Sequence, residues 1–408
     1  MTSDWPTVSL GRVAASVPNA LVGGPFGSNL LARDQVAEGV PVIRGANMGD
    51  GRWIGGEYVY VSEEKAESLS ANLARIGDIV FTQRGTVGQV ALVPDTHERF
   101  VVSQSQMKLT PDSHQADVGY LYYYFSAPAQ ISYMKSRSIQ TGVPHTNLGI
   151  LREAPVVLPP LRTQQAIASI LGALDDKIEL NRKMSRTLDE MAQAIFKSWF
   201  LGAGIDGVAG VPRQGATSSR LDDVVSHVRE SVQPSEVDPS TPYVGLEHFD
   251  GGSTFLSRWA SAEDASSGKS RFCAGDILFG KLRPYFHKVA LAPFDGICST
   301  DVMVLRPRSE SMTNLALGYV NGDAFIARAT AQSEGTRMPR TKWRDVAAYE
   351  IVLPPHELIQ SFNSIADPIR QRQAVCVRES AVLAEMRDSL LPRLLSGELR
   401  IPDAESTV

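Results

Sequence analysis

Cysteine is scarce. The 408-residue chain has three, Cys273, Cys298 and Cys376. They are odd in number, far apart and form no C-x-x-C pair, so a disulfide framework or a zinc knuckle is disfavoured and buried free thiols in a reducing compartment are expected. Long apolar runs are missing too: nowhere do 18 apolar residues stand together, and the N-terminal MTSDWPTVSL has no basic segment followed by an apolar stretch. The chain is therefore expected to be cytoplasmic, neither secreted nor membrane-spanning. An excess of positive charge is also lacking, since 40 Lys and Arg against 45 Asp and Glu leave a formal net charge of −5. That balance counts against simple nonspecific binding to nucleic acid. It leaves room for a reader whose basic residues are gathered on one face while much of the remaining surface meets protein.

What the chain does have is a long internal repeat. Thr141 to Gly202 aligns without a gap to Thr336 to Gly397 at a constant offset of 195, with 15 of 62 positions identical. The shared residues include Thr-x-x-Pro-x-Thr, Val-Leu-Pro-Pro, Gln165/Gln360, Ser169-Ile170/Ser364-Ile365 and Leu188-x-Glu190-Met191/Leu383-x-Glu385-Met386. Upstream the likeness continues with drifting offsets: GDIVF at 77–81 matches GDILF at 275–279, and LTP at 109–111 matches LRP at 305–307. A fixed offset over one part and a drifting one over another is the pattern of a held scaffold bearing loops of different length. Two copies of one unit imply an internal pseudo-twofold, and a DNA duplex is a partner matched to it.

Each copy has a turn-rich part and a helical part. Residues 1–155 read as a first mixed domain, with PVIRG, YVYV, GDIVF, QVALV and VVSQSQMKLTP as short strands between Gly, Pro and Asp turns. YLYYYFSAPAQISYM reads as a helix with Leu121, Phe125, Ile131 and Met134 as core contacts. Residues 156–202 form a helical region, 203–220 a Gly- and Ser-rich linker, 221–350 a second mixed domain, and 351–400 a second helical region.

The helical regions follow the double prolines Pro159-Pro160 and Pro354-Pro355, which favour extended backbone before them and a helix start after. The first carries a heptad seam of Leu171, Leu174, Ile178, Asn181, Ser185, Leu188, Ala192, Ile195 and Trp199. The second seam runs Ile369, Gln373, Cys376, Ser380, Leu383, Leu390 and Leu394. Gly172 and Asp367-Pro368 occupy equivalent positions, so a short helix, a bend and a long helix are expected. A helical hairpin inside each domain is one way to bury these seams. The preferred reading pairs the two long helices antiparallel, with polar mid-seam residues setting the register. The expected fold class is α+β: two mixed recognition domains separated by two long helices in an antiparallel coiled coil.

GDIVFTQRGTVG, the TG-x-P-x-x-N-L run ahead of VVLPPLRTQQAIASIL, LDDKI followed by FKSWF, and the C-terminal LLPRLLSGELR together resemble the specificity subunit of Type I restriction–modification systems. The likeness covers nearly the whole chain and includes the order variable, helical, variable, helical. It implies a non-catalytic subunit with two target-recognition domains, each reading half of a bipartite, asymmetric sequence in double-stranded DNA. The helices would space the two domains and dock two methyltransferase subunits, which carry S-adenosylmethionine; this chain itself would hold no cofactor or metal. An endonuclease/translocase subunit would complete the complex. Leu174, Ile178, Leu188, Ile195, Trp199, Ile369, Leu383, Leu390 and Leu394 are the expected coiled-coil and docking residues.

Catalytic signatures are missing. Adenine methylation in this class uses an Asn/Asp-Pro-Pro-Tyr/Phe loop, whereas both double prolines here follow leucine. SSGKS at 266–270 is half of a phosphate-binding loop, but Glu263 stands where its first glycine is needed and RFCAGD follows in place of an apolar helix. Asp175-Asp176 and Glu63-Glu64 read as solvated faces. A fused recognition–methyltransferase enzyme and a protein-only helical scaffold are the competing readings.

Two segments in each copy suit DNA contact. Arg337, Arg340, Lys342 and Arg344 are four basic residues in eight, and their counterpart in the first copy offers Thr141, His145 and Asn147. The turn after the GDI strand offers Gln83, Arg84 and Thr86 in copy one and Lys281, Arg283 and Tyr285 in copy two. Gln and Arg suit bidentate contacts to adenine and guanine, and Lys and hydroxyls suit phosphate. Arg44 and Asn47, after the PVI strand, are weaker candidates.

Overall fold

The computed structural model describes residues 5–49, 51–139, 143–201, 215–335 and 337–401. Two compact units emerge: residues 1–179 with 382–408, and residues 180–381.

In the first unit a four-stranded antiparallel sheet runs in the order Leu21–Gly23, Gln106–Leu109, Ile79–Thr82, Val90–Leu92. Alternation decides what each face meets. Ile79, Phe81, Met107 and Leu109 enter a core shared with helices, while Val80 and Ala91 point to the other face, where Ile43, Phe100 and Val102 of a second sheet wait. That second sheet has five strands, Gln35–Val36, Val59–Val61, Val40–Ile43, Phe100–Val102 and Leu73–Ala74, with one parallel pair, Val42 beside Val101. A small third pair joins Thr7–Ser9 to Pro155–Val157.

The second unit repeats the plan. Its four-stranded sheet is Val225–Val228, Val302–Pro307, Ile277–Gly280, Val289–Leu291. Ile277, Phe279, Met303 and Leu305 face the helical core, and Leu278, Ala290 and Val304 face the opposite one. The five-stranded sheet again has one parallel pair, Pro242–Val244 with Gly296–Cys298. Its additional edge strand, Ser231–Val232, pairs with Lys269–Phe272. In the first unit the additional strand lies at the other edge, against Val59–Val61.

The shared GDI motif has a structural cause. Gly77 and Gly275 take φ of +90° and +87°, which a side chain resists. Asp78 and Asp276 are buried and accept the backbone N–H groups of Arg75 and Cys273 at 2.9 and 2.7 Å, closing the turn into the strand. Each carboxylate is then paired across the sheet. Lys108 and Thr110 bond Asp78, while Arg306 grips Asp276 with two bonds of 2.8 Å.

Two long helices, Leu161–Phe200 and His356–Leu395, each place one half in each unit. Within the first unit Arg387 meets Asp175 at 2.8 Å. Within the second, Asn181 meets Glu379, Ser185 meets Gln373 and Asp189 meets Arg370, so the partner number falls as the helix advances and the pairing is antiparallel. The polar seam residues Asn181, Ser185 and Gln373 are buried. Both domain cores draw on both helices. The first takes Ile167 and Leu171 from one helix and Leu391 and Leu394 from the other; the second takes Phe196 together with Ile359, Phe362 and Ala366.

Four expectations need correction. The second helix does not restart at Asp367-Pro368, and the first does not break at Gly172; each runs unbroken for 40 residues. Ahead of Pro368, Phe362 and Ala366 are buried in the domain core and hold that turn helical, and Asp367 accepts Asn314 at 2.6 Å instead of capping a helix. The segment after Asp117 is two helices, Val118–Ser126 and Pro128–Ser136, because Ala127 before the proline is extended. Ile195, Trp199, Leu390 and Leu394 pack on domain cores as well as standing on the helix seams. Of the three free thiols, Cys298 and Cys376 are buried but Cys273 is exposed. Among the described residues no helix is long and apolar enough to cross a membrane, and no cluster of three His, Cys, Asp or Glu is placed to hold a metal.

Candidate nucleic-acid interface

In each unit the two segments singled out in the sequence are neighbours in space. In the first, the strand Ile79–Thr82 delivers the turn Gln83–Gly88, and Ile139 and His145, bridged to each other, lie beside it. Thr146 N–H donates to the Gln83 carbonyl at 2.9 Å, Gly85 N–H donates to the Pro144 carbonyl at 3.3 Å, and Arg84 bridges His145. In the second unit Thr341 N–H donates to the Lys281 carbonyl at 3.0 Å, Arg283 N–H to the Pro339 carbonyl at 2.8 Å, and Leu282 bridges Arg340. The same three links are thus made twice. They pair Gln83 with Lys281, Arg84 with Leu282, Gly85 with Arg283 and His145 with Arg340 as equivalent positions. Both Gly85 and Arg283 have positive φ, +94° and +51°.

The scaffold is common and the side chains are not. In the first unit Arg84 and Thr86 are exposed and Gln83 and His145 half-buried. His145 Nδ1 lies 3.1 Å from the Val143 carbonyl, which can only accept, so Nδ1 is a donor there. In the second unit Lys281 and Arg283 are half-buried, with Tyr285 and Arg337 exposed; Arg283 Nη2 reaches the Arg337 carbonyl at 3.3 Å. His227 stacks near Trp343 with ring centroids 5.3 Å apart. Burial, and then the charges of Arg229 and Lys281, push its pKa down to about 4, so it is neutral at pH 7.

Other candidates have structural work. Asn47 is buried; its Nδ2 donates to the Gly55 and Glu57 carbonyls at 3.0 and 2.8 Å and its Oδ1 accepts from Arg44 N–H, which leaves no amide face for a base. Arg44 is half-buried and reaches the Glu57 carbonyl only at 3.5 Å. Asn147 caps the helix Leu148–Arg152 by accepting Ile150 N–H at 2.9 Å. Arg340 is held by both oxygens of Asp301 at 2.8 and 3.1 Å, and that carboxylate raises its pKa. Lys342 pairs with Glu334 at 2.6 Å and holds that carboxyl below its ordinary range. Thr141 lies outside the described residues. Asp301 is a partner that reading the chain linearly missed. Its signal was available, because the offset of 196 sets it opposite Ser105, an acid gained where the facing basic residue was also gained.

The helices likewise expose apolar side chains that the seam argument passed over. Ile170, Leu180 and Met191 are exposed on the first helix, and Ile365, Val375 and Met386 on the second, each exactly matched at the 195 offset.

Comparison with known proteins follows this geometry. A family model, "Type I restriction modification DNA specificity domain", matches residues 28–190. The MjaIX specificity subunit of a Type I restriction enzyme from Methanocaldococcus jannaschii is 25% identical over 85% of this chain and 85% of its own length. Over most of its length the chain is thus similar to Type I specificity subunits. The HindI specificity subunit from Haemophilus influenzae is 22% identical over 97% of this chain and all of its own length, 100%. The crystal structure of a Type I restriction–modification S subunit from M. genitalium has the same fold, with a TM-score of 0.58, 15% identity and coverage of 96% of both chains. A specificity subunit is the non-catalytic, DNA-recognising part of its system, in keeping with the missing catalytic loops of the sequence.

Proposed function

We propose that this chain is a specificity subunit and reads a bipartite, asymmetric sequence in double-stranded DNA, one half with each unit. The observation that carries the reading is the loop pair built twice with the same three backbone links and different side chains. A common frame fixes where each loop stands, and the side chains on it set which base edges are met. Gln83, Arg84, Thr86 and His145 serve one half-site; Lys281, Arg283, Tyr285 and Arg337 serve the other. Arg340 and Lys342 act mainly through their ion pairs, as the posts that shape the second loop.

Partner docking belongs to the outward faces of the long helices. Ile170, Leu180 and Met191 match Ile365, Val375 and Met386 in position, so the chain offers the same apolar side chains twice. Paired surfaces of this kind suit two copies of one partner, here two methyltransferase subunits that bring S-adenosylmethionine to the target adenines. A translocating endonuclease joins the same assembly. Leu174, Ile178, Leu188, Ile369 and Leu383 act in the helix seam.

The test is methylation by the assembled complex on duplexes altered in one half-site at a time. Arg84→Ala is expected to relax selectivity in one half and Arg283→Ala in the other, each by about 1–3 kcal/mol at the affected position. Equal effects of each variant on both halves would refute two separate readers.

A further inference from the structure

The turn after Ile277–Gly280 in the second unit is one residue longer than its counterpart. Gly280 N–H bonds the Lys288 carbonyl, whereas Thr82 N–H bonds the Gln89 carbonyl. The shorter turn buries its apolar residue, Val87, and seats Gly88 against Ile131. The longer one turns two aromatics outward: Tyr285 is 51% exposed and Phe286 50%. Their rings stand 4.9 Å apart, and neither belongs to a hydrophobic core.

This ledge is rigid from beneath. Arg283 and His287, at its two ends, both take left-handed backbone, φ +51° and +52°, although neither is glycine. Pro284 between them is buried. The His287 ring nitrogen Nε2 donates to the Asn321 carbonyl at 3.0 Å, and Gly252 N–H donates to the His287 carbonyl at 2.9 Å. A side chain on Gly251 would come within 3.0 Å of the Phe286 carbonyl, so glycine permits the close approach of that loop. The fold accounts for Pro284 and His287 but gives no use for two fixed aromatic faces in water.

The surroundings identify what meets them. Lys281 and Arg283 lie in the same turn, Arg337 abuts Arg283, and Lys288 Nζ lies 5.7 Å from the centroid of the Phe286 ring. Aromatic faces set among cations suit stacked bases between phosphates. We propose that Tyr285 and Phe286 act as a stacking wedge, entering the duplex at the half-site of the second unit and unstacking one base step. The inference rests on the DNA reading above and adds a mode of recognition to it: that half-site is selected partly by how readily its step opens, which favours a pyrimidine–purine step. The first unit has no such ledge at its turn and reads without it.

The test uses the full chain assembled with methyltransferase and a pool of duplexes with a randomised centre. Wild type is expected to enrich a two-part motif with a pyrimidine–purine step in one part. The Tyr285→Ala/Phe286→Ala form should lose that step preference, keep the other part, and bind the wild-type motif at least about tenfold more weakly. Its salt dependence should stay unchanged, whereas Lys281→Ala lowers the salt slope by about one. With 2-aminopurine beside the step, fluorescence should rise on binding wild type and stay flat with the alanine form. The Tyr285→Leu/Phe286→Leu form, which retains apolar bulk, should fall between them. If all three forms share one affinity and one motif, the wedge is refuted while two-part reading stands. If wild type enriches no sequence, both fall.

Discussion

Asp189 offers the sharpest energetic test of how the second unit is fastened to the helices. Its carboxylate is 4% exposed and faces the Arg370 guanidinium, 14% exposed, at 2.9 Å. It also accepts Thr254 N–H at 2.9 Å, the Thr254 hydroxyl, and Gln193 Nε2 at 3.0 Å. Arg370 Nη1 bonds the Thr254 hydroxyl and Gln373, and burial lowers its pKa. Removing one charge strands the other in a site that has little water to receive it, so Asp189→Ala should destabilise by about 3–5 kcal/mol. Asp189→Asn keeps the shape and an acceptor oxygen but not the charge, and should cost about 1–3 kcal/mol. Replacing both partners, Asp189→Leu with Arg370→Met, should recover much of the loss, because no charge is then left buried. Urea unfolding of the full chain, followed by tryptophan fluorescence, gives the comparison. Single variants within about 0.5 kcal/mol of wild type would show that the pair adds nothing. There is also a functional arm. Gln193 bonds the Gly252 carbonyl, and Gly252 supports His287 of the aromatic ledge, so Asp189→Asn should weaken DNA binding in the second half-site more than in the first.

Two further predictions concern docking and pH. Met191→Glu and Met386→Glu should each lower the number of methyltransferase subunits bound from two toward one, and the double variant should bind neither, as read by light scattering; full occupancy in all three would exclude these faces. His227 has a folded pKa of about 4 against 6.5 unfolded, so between these values the unfolded chain binds more protons and stability falls as pH falls. His227→Gln should flatten the stability profile across that window, and an unchanged slope would assign the loss to other groups.

The sequence carried the larger architecture well because the repeat compares the chain with itself. What the two copies share proved to be frame, as with the GDI glycines and the buried Ser185, whose counterpart is Ser380. Site chemistry was less legible because burial and pairing are not written locally. Asn47 looked like an adenine reader until its amide was found on two carbonyls, and Arg340 looked free until Asp301, 39 residues away, was found holding it. Pro368 misled for a related reason. Its local preference to begin a helix is outweighed by the buried Phe362 and Ala366 before it. The Tyr285–Phe286 ledge was half seen, since exposure, not residue type, sets Phe286 apart.

The closure of the first core by Leu391 and Leu394 has a consequence for synthesis. The first domain is made early, yet its hydrophobic centre lacks a wall until the last stretch of the chain has left the ribosome. At ~5–20 residues per second, that interval lasts some tens of seconds. Prematurely terminated chains are thus left with an open apolar core, and should be cleared before they can assemble.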